Sequence, residues 1–143
     1  MRECDRGEWK KFKRYHYLTS DAPHHAKWYG LYDEQDINVG ILGVIHYPNP
    51  HNKKLKKCSR LVVLPDYQGI GLGKKFLNEV AEIYVDQGFD FAITTSAVNL
   101  VCGLCRSDKW ILTRQGICGK DTEQKLKMVC RKVKTYTFFY KRE

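Results

Sequence analysis

The chain has 143 residues, a length that suits one domain with a real hydrophobic core and is too short for two. A hydrophobic content of 43% excludes a disordered tail, and no apolar run approaches the roughly 18 residues that a membrane helix needs. The formal net charge of +9 points to a polyanionic partner, either a nucleic acid or a phosphorylated cofactor.

Trp9 and Phe12, continued by Tyr15 or His16, stand near helical spacing, which predicts a short basic helix over 6–18 that "SDAPHH" then breaks. The opening stretch lacks the apolar core and cleavage site of a signal peptide, so a cytoplasmic location and reduced cysteines are expected. Residues 26–34 and 37–47 are strand candidates joined by the polar turn "DEQD", most simply a hairpin. The stretch "PNPHNKKLKK" (48–57) is an expected exposed loop. "CSRLVVL" (58–64) is a buried strand ended by Pro65.

From Gly71 to Asp86, Leu72, Phe76, Leu77, Val80, Ile83 and Tyr84 recur at helical spacing, and Gly88 closes the helix. "FDFAITTS" is a further strand, "NLVCGLCRS" a short helix, and "WILTRQGIC" and "KMVCRKVKTYTFFY" the last two strands. The order is α, β, β, β, α, β, α, β, β, with neither repeats nor a linker. The expected fold is therefore one α/β (α+β) domain over 1–143, a mixed twisted sheet of about six strands flanked by helices.

The stretch "RLVVLPDYQGIGLGKKFLNEVAEIY" (60–84) carries the chemistry. A strand that ends in a glycine turn and opens a helix presents unpaired N–H groups and a partial positive charge to phosphate. The P-loop pattern fails, because Gln68 replaces its first glycine and Lys75 its Ser/Thr. The dinucleotide pattern also fails, with Lys74 at its last glycine. Gln68, Gly71 and Gly73 fully match Q/R-x-x-G-x-G/A after a strand.

That motif resembles the acetyl-CoA-binding turn of the GNAT acetyltransferase superfamily, and the element order over 37–116 is similar to that family's. The resemblance implies a donor, acetyl-CoA or another acyl-CoA, bound across 58–88. Val63 and Leu64 would offer backbone hydrogen bonds to pantetheine. The amides of Gln68, Gly69, Ile70, Gly71, Leu72 and Gly73 would cradle the pyrophosphate. The strand "FDFAITT" would splay from the first to leave a slot for the thioester. Asn99 lies where the family often places a cofactor-contacting asparagine; by itself it reads as a helix cap.

Many members carry a tyrosine after that strand that protonates the leaving thiolate, and Cys105 stands in its place here. A thiol is a competent acid, while the plainer role for Cys105 is a small buried residue. The "CGLC" pair, with Cys118 and Cys130 downstream, lacks the second paired spacing of a zinc site. Nothing places it at the strand-to-helix turn of a thioredoxin-like pair. No metal is expected.

The segment 1–24, with Trp9, His16 and Tyr17, together with the run over 60–69, is similar to a phage and mobile-element subgroup. That subgroup includes GNAT domains fused to ABC-type ATPases and, more distantly, Mom-type DNA-modification proteins. The resemblance implies that His16 or Tyr17 faces the acceptor, His16 as a base for the attacking amine and Tyr17 as a positioning or acid group. The alternative is an aromatic helix end packed on the sheet.

Three functions stay open. One is acyl transfer to a nucleic-acid base, with Lys53, Lys54, Lys56, Lys57 and Arg60 holding phosphates. The second is acetylation of a protein lysine, an N-terminus or a small amine. The third is a non-catalytic CoA-binding module. A homodimer formed through the edge of the C-terminal strand is a further expectation.

Overall fold

The computed structural model describes residues 1–15, 25–118 and 133–141. They form a mixed α+β fold of seven strands and three α-helices: β1 (Arg2–Cys4), α1 (Trp9–Phe12), β2 (Lys27–Tyr32), β3 (Asn38–His46), β4 (Leu55–Val63), α2 (Leu72–Asp86), β5 (Asp90–Thr95), α3 (Val98–Cys105), β6 (Trp110–Cys118) and β7 (Val133–Tyr140). Two compact units, Met1–Ala92 and Ile93–Glu143, divide the chain within β5. No helix among the described residues is long and apolar enough to cross a membrane.

In the first unit the hydrogen-bonded order is β1-β2-β3-β4, with β5 next to β4. The expected hairpin is present: β2 and β3 pair antiparallel, Trp28 opposite Gly43. The Asp33 carboxylate shapes its turn by accepting from the amides of Gln35 and Ile37, each at 2.9 Å. β1 is the strand that sequence patterning missed. Three residues of mixed polarity carry no alternation, and β1 exists because β2 offers it an edge, Glu3 opposite Tyr29.

A second correction concerns 48–57, expected as an exposed loop. β4 begins at Leu55, which is buried, so Lys56 and Lys57 lie in a strand opposite His46 and Ile45. Their ammonium groups lie over aromatic rings: Lys56 is 4.8 Å from the centre of Phe89, and Lys57 is 4.8 Å from that of Tyr47. Rings that receive the cations and their stems offset the poor strand propensity of a lysine run.

The first core cluster joins Trp9, Phe12, Trp28, Ile41 and Val62, with Leu64 packed against it. Trp9 and Trp28 stack at 5.6 Å. An added Cβ at Gly43 would come within 2.7 Å of the Trp28 ring, so the ring needs a bare backbone beneath it. The expected helix over 6–18 is α1 flanked by single 3-10 turns, Arg6–Glu8 and Lys13–Tyr15. Residues 16–18 lie outside the described residues.

Glu8 ties this segment to the sheet, accepting from Lys11 at 3.0 Å and from the Asn38 side chain at 3.1 Å. Those two bonds, Lys11 first, hold the Glu8 carboxyl below its ordinary value. A depressed carboxyl stabilises the fold above its unfolded value and loses that contribution as pH falls through the folded one. Glu8→Gln is therefore expected to lower stability at pH 7 and to flatten its decline below about pH 4.5. Urea midpoints measured from pH 7 to 3 check this, and parallel curves for the two proteins would refute it.

α2 buries Phe76, Leu77, Val80, Ala81 and Tyr84, the face its spacing predicts, and Gly88 follows it with φ 89°. Tyr84 is packed at 5.8 Å from Phe91, and Tyr29 Oη lies 3.0 Å from its own. Burial first, then that hydrogen bond, pushes the Tyr84 phenol well above its ordinary value, so it stays neutral.

In the second unit the order is β5-β7-β6. β6 and β7 pair antiparallel, and Thr94 Oγ1 lies 2.9 Å from Thr137 Oγ1 between β5 and β7. Phe138, Leu104 and Trp110 are buried. The C-terminal strand is thus interior and β6 is the outer one, which corrects the expected dimer edge. Chain order does not fix strand order, because the β6–β7 hairpin folds back and inserts its second arm.

Candidate functional site

The site is built where β4 ends. Leu64 N donates to Val39 O at 2.9 Å, and Gly40 pairs with Val63. Alternation along an antiparallel ladder then turns the N–H and C=O of Val63 away from β3. The Gln68 side chain reaches back and donates to that carbonyl at 2.7 Å. A 3-10 turn, Pro65–Tyr67, lies between, and Gln68 N donates to Pro65 O at 3.2 Å.

The chain then makes two left-handed steps, Gly69 at φ 85° and Gly71 at φ 79°. Open space surrounds a Cβ placed on either, so glycine is required by backbone conformation alone. Gly71 caps α2 with no side-chain bond, and the helix ladder opens with Lys75 N donating to Gly71 O at 3.1 Å. The amides of residues 69–74 consequently have no bonded acceptor among the described residues. No acidic residue stands in the first turn, and Lys74 and Lys75 do. The dipole, the bare amides and the lysines all favour an anion here. Gly73 is in an ordinary conformation, with Val63 Cγ2 3.8 Å from where its Cβ would be. Its missing side chain therefore serves no need of the chain itself, and the space suits a phosphate pressed against the helix end.

Val63, Leu64, Gln68, Gly69, Ile70, Gly71, Leu72 and Gly73 thus share one strand–turn–helix in the first unit. Leu64 is half-buried against the Trp9–Trp28 cluster, and Ile70 is 71% exposed. Asn99 and Cys105 share α3 in the second unit, and both are exposed. Ala97, not Asn99, is the N-cap residue of α3, and Ala97 N is bonded to Thr95 Oγ1 at 3.1 Å. The cap reading of Asn99 is therefore wrong by two positions, and the buried reading of Cys105 is corrected by its exposure. His16 and Tyr17 lie outside the described residues. No group of three or more metal-ligating side chains occurs among the described residues.

Sequence reasoning missed two features. The Gln68 side chain was read as a motif letter, yet it ties the turn to Val63; its five-residue spacing from the strand end was the signal. Lys74 extends the run of bare amides by one, as the first four amides of any helix would. Gln68→Ala is expected to cost about 1 kcal/mol and to weaken CoA binding. Denaturant titration and calorimetry with CoA check it, and unchanged values for both would show the bond to be incidental.

A strand that passes through two left-handed glycines into a helix with bare amides defines a backbone anion cradle, the device of proteins that hold a phosphorylated cofactor. The particular class follows from comparison: the chain belongs to the acetyltransferase (GNAT) family, whose model matches residues 1–101.

The fold is similar to a Bacillus subtilis acetyltransferase in complex with CoA, at TM-score 0.72 and 12% identity, covering 100% of this chain and 96% of that one. It is also similar to spermidine/spermine N-acetyltransferase SpeG from Vibrio cholerae, at TM-score 0.70 and 9% identity over 96% and 89% of the two chains. A phosphinothricin acetyltransferase from Sinorhizobium meliloti in complex with AcCoA matches at TM-score 0.61 and 18% identity, over 80% of this chain and 60% of that one. Comparison with curated protein sequences finds no match.

Proposed function

We propose that the protein is an acyl-CoA-dependent N-acetyltransferase, with acetyl-CoA the donor and the turn at 68–74 its pyrophosphate site. The bare amides behind two left-handed glycines carry this reading. Val63 and Leu64 border the pantetheine arm, and Asn99 is a further cofactor contact. The bound donor supplies an activated thioester. His16 takes the proton of the attacking amine, directly or through water, and Cys105 or Tyr17 returns one to the sulfur. His16→Ala is expected to abolish turnover while CoA affinity survives; unchanged turnover would remove His16 from the mechanism.

The acceptor we propose is anionic, a nucleic-acid base in the manner of the phage-type modification proteins. No Asp or Glu occurs from residue 37 to 65, and the exposed Lys53 and Lys54 sit in the turn before β4. Arg60 contributes less than expected, since it is half-buried and its Nη1 donates to Ser59 O at 2.8 Å. A small-molecule amine is the second reading, favoured by the SpeG and phosphinothricin acetyltransferase likenesses. Any pairing of two copies edge to edge would use β1 or β6 rather than the C-terminal strand.

Incubation with labelled acetyl-CoA and, separately, DNA, RNA, spermidine and a lysine peptide tests both readings. Label in nucleic acid supports the first, and label in spermidine or the peptide alone overturns it. CoA binding with no labelled acceptor would leave a CoA-binding module.

A further inference from the structure

We propose that Cys102 and Cys105 form a reversible dithiol site on α3, which closes into an intrahelical disulfide by exchange with small disulfides such as oxidised glutathione. Both are free thiols and both are exposed. Three positions apart on a helix, they share one face, with Cα atoms about 5 Å apart, inside the disulfide window. The pair lies at the end of α3 rather than at a strand-to-helix turn, so it is not arranged like a thioredoxin pair.

The obstacle is at Cβ, because a regular helix holds such atoms about 5–6 Å apart and a disulfide wants about 4 Å. Local features lower it. Cys105 is the last residue of α3, and the bond closing its turn, Arg106 N to Cys102 O, is long at 3.2 Å. Gly103 between the cysteines weakens the helix further. Leu104 is fully buried and anchors the segment while its neighbours face water. The last turn can therefore tighten without moving the core.

The two other cysteines with described surroundings make a contrast. Cys58 is buried, and burial pushes its thiol up to about 12; Cys4 is half-buried and is pushed up to about 11. Thiolate is the nucleophile of exchange, so these two are poor competitors.

One thiolate of the pair attacks a sulfur of the small disulfide, and a small thiolate leaves. The second cysteine then attacks the mixed disulfide and expels the other half. Two protein thiols and one small disulfide become one protein disulfide and two small thiols, so electrons and protons balance. Where Cys105 serves as the proton donor proposed above, closure also withdraws its proton, but the dithiol site stands without that role.

The test uses the full chain, equilibrated in buffers of rising oxidised-to-reduced glutathione ratio, alkylated, and mapped by mass spectrometry. As the ratio rises, Cys102 and Cys105 should lose alkylation together and carry no glutathione. Cys102→Ser and Cys105→Ser should each end with glutathione on the remaining thiol. Stable glutathione adducts on either cysteine of the unaltered chain, or full alkylation at every ratio, would overturn the proposal. No acetyl transfer enters the readout, so failure here leaves the donor site untouched.

Discussion

Gly71→Ala is expected to lower stability by about 1–2 kcal/mol and to weaken CoA binding roughly tenfold or more. The stability loss comes from forcing a Cβ-bearing residue to φ 79°, since nothing lies within 4 Å of the new methyl. The binding loss follows because an alanine that relaxes toward an ordinary φ turns the following amides away from the anion. Gly73→Ala separates the two effects. Its backbone conformation is ordinary, so the methyl should stabilise α2 by up to about 1 kcal/mol while it crowds the ligand. Chemical denaturation and calorimetric titration with CoA measure both quantities. A Gly71→Ala variant that binds CoA as tightly as the unaltered chain would remove the turn from the donor site.

Phe76→Ala is expected to cost about 3–5 kcal/mol, a large share of the stability of a small domain. Phe76 is 1% exposed on the buried face of α2, beside Leu77 and Val80. The lost transfer energy and the cavity left behind both count, because α2 is held to the sheet by this face. Phe76→Leu keeps most of the volume and should cost less than about 1.5 kcal/mol. Urea unfolding of the two variants reads the difference, and equal losses would mean the site collapses around either side chain. The same helix begins at the turn proposed for the donor, so CoA should partly rescue Phe76→Ala by mass action.

How much was legible varied with the kind of signal. The β2–β3 hairpin, α2 and the turn at 68–74 rest on local rules: a polar turn between alternating strands, apolar spacing of 3.6, and glycine where φ is positive. Each was readable because the residues that decide it are neighbours in sequence. β1 was not readable, since its three residues gain a strand only from the edge of β2. Leu55, Lys56 and Lys57 looked like an exposed charged loop until Tyr47, Tyr84 and Phe89 supplied rings for the lysines. The position of β7 inside β6 is likewise a matter of partners that local propensity does not encode.

The site divides in the same way. Sequence by itself determined the turn proposed for the donor: Gly69 and Gly71 after a β-branched strand mark two left-handed steps into a helix, because glycine alone adopts a positive φ without steric cost. The tertiary structure decided what surrounds it. It turned the Gln68 side chain onto Val63, put Leu64 against stacked Trp9 and Trp28, and tied Glu8 to Asn38. Those contacts join residues up to 55 positions apart, and only packing, which no local pattern carries, selects them.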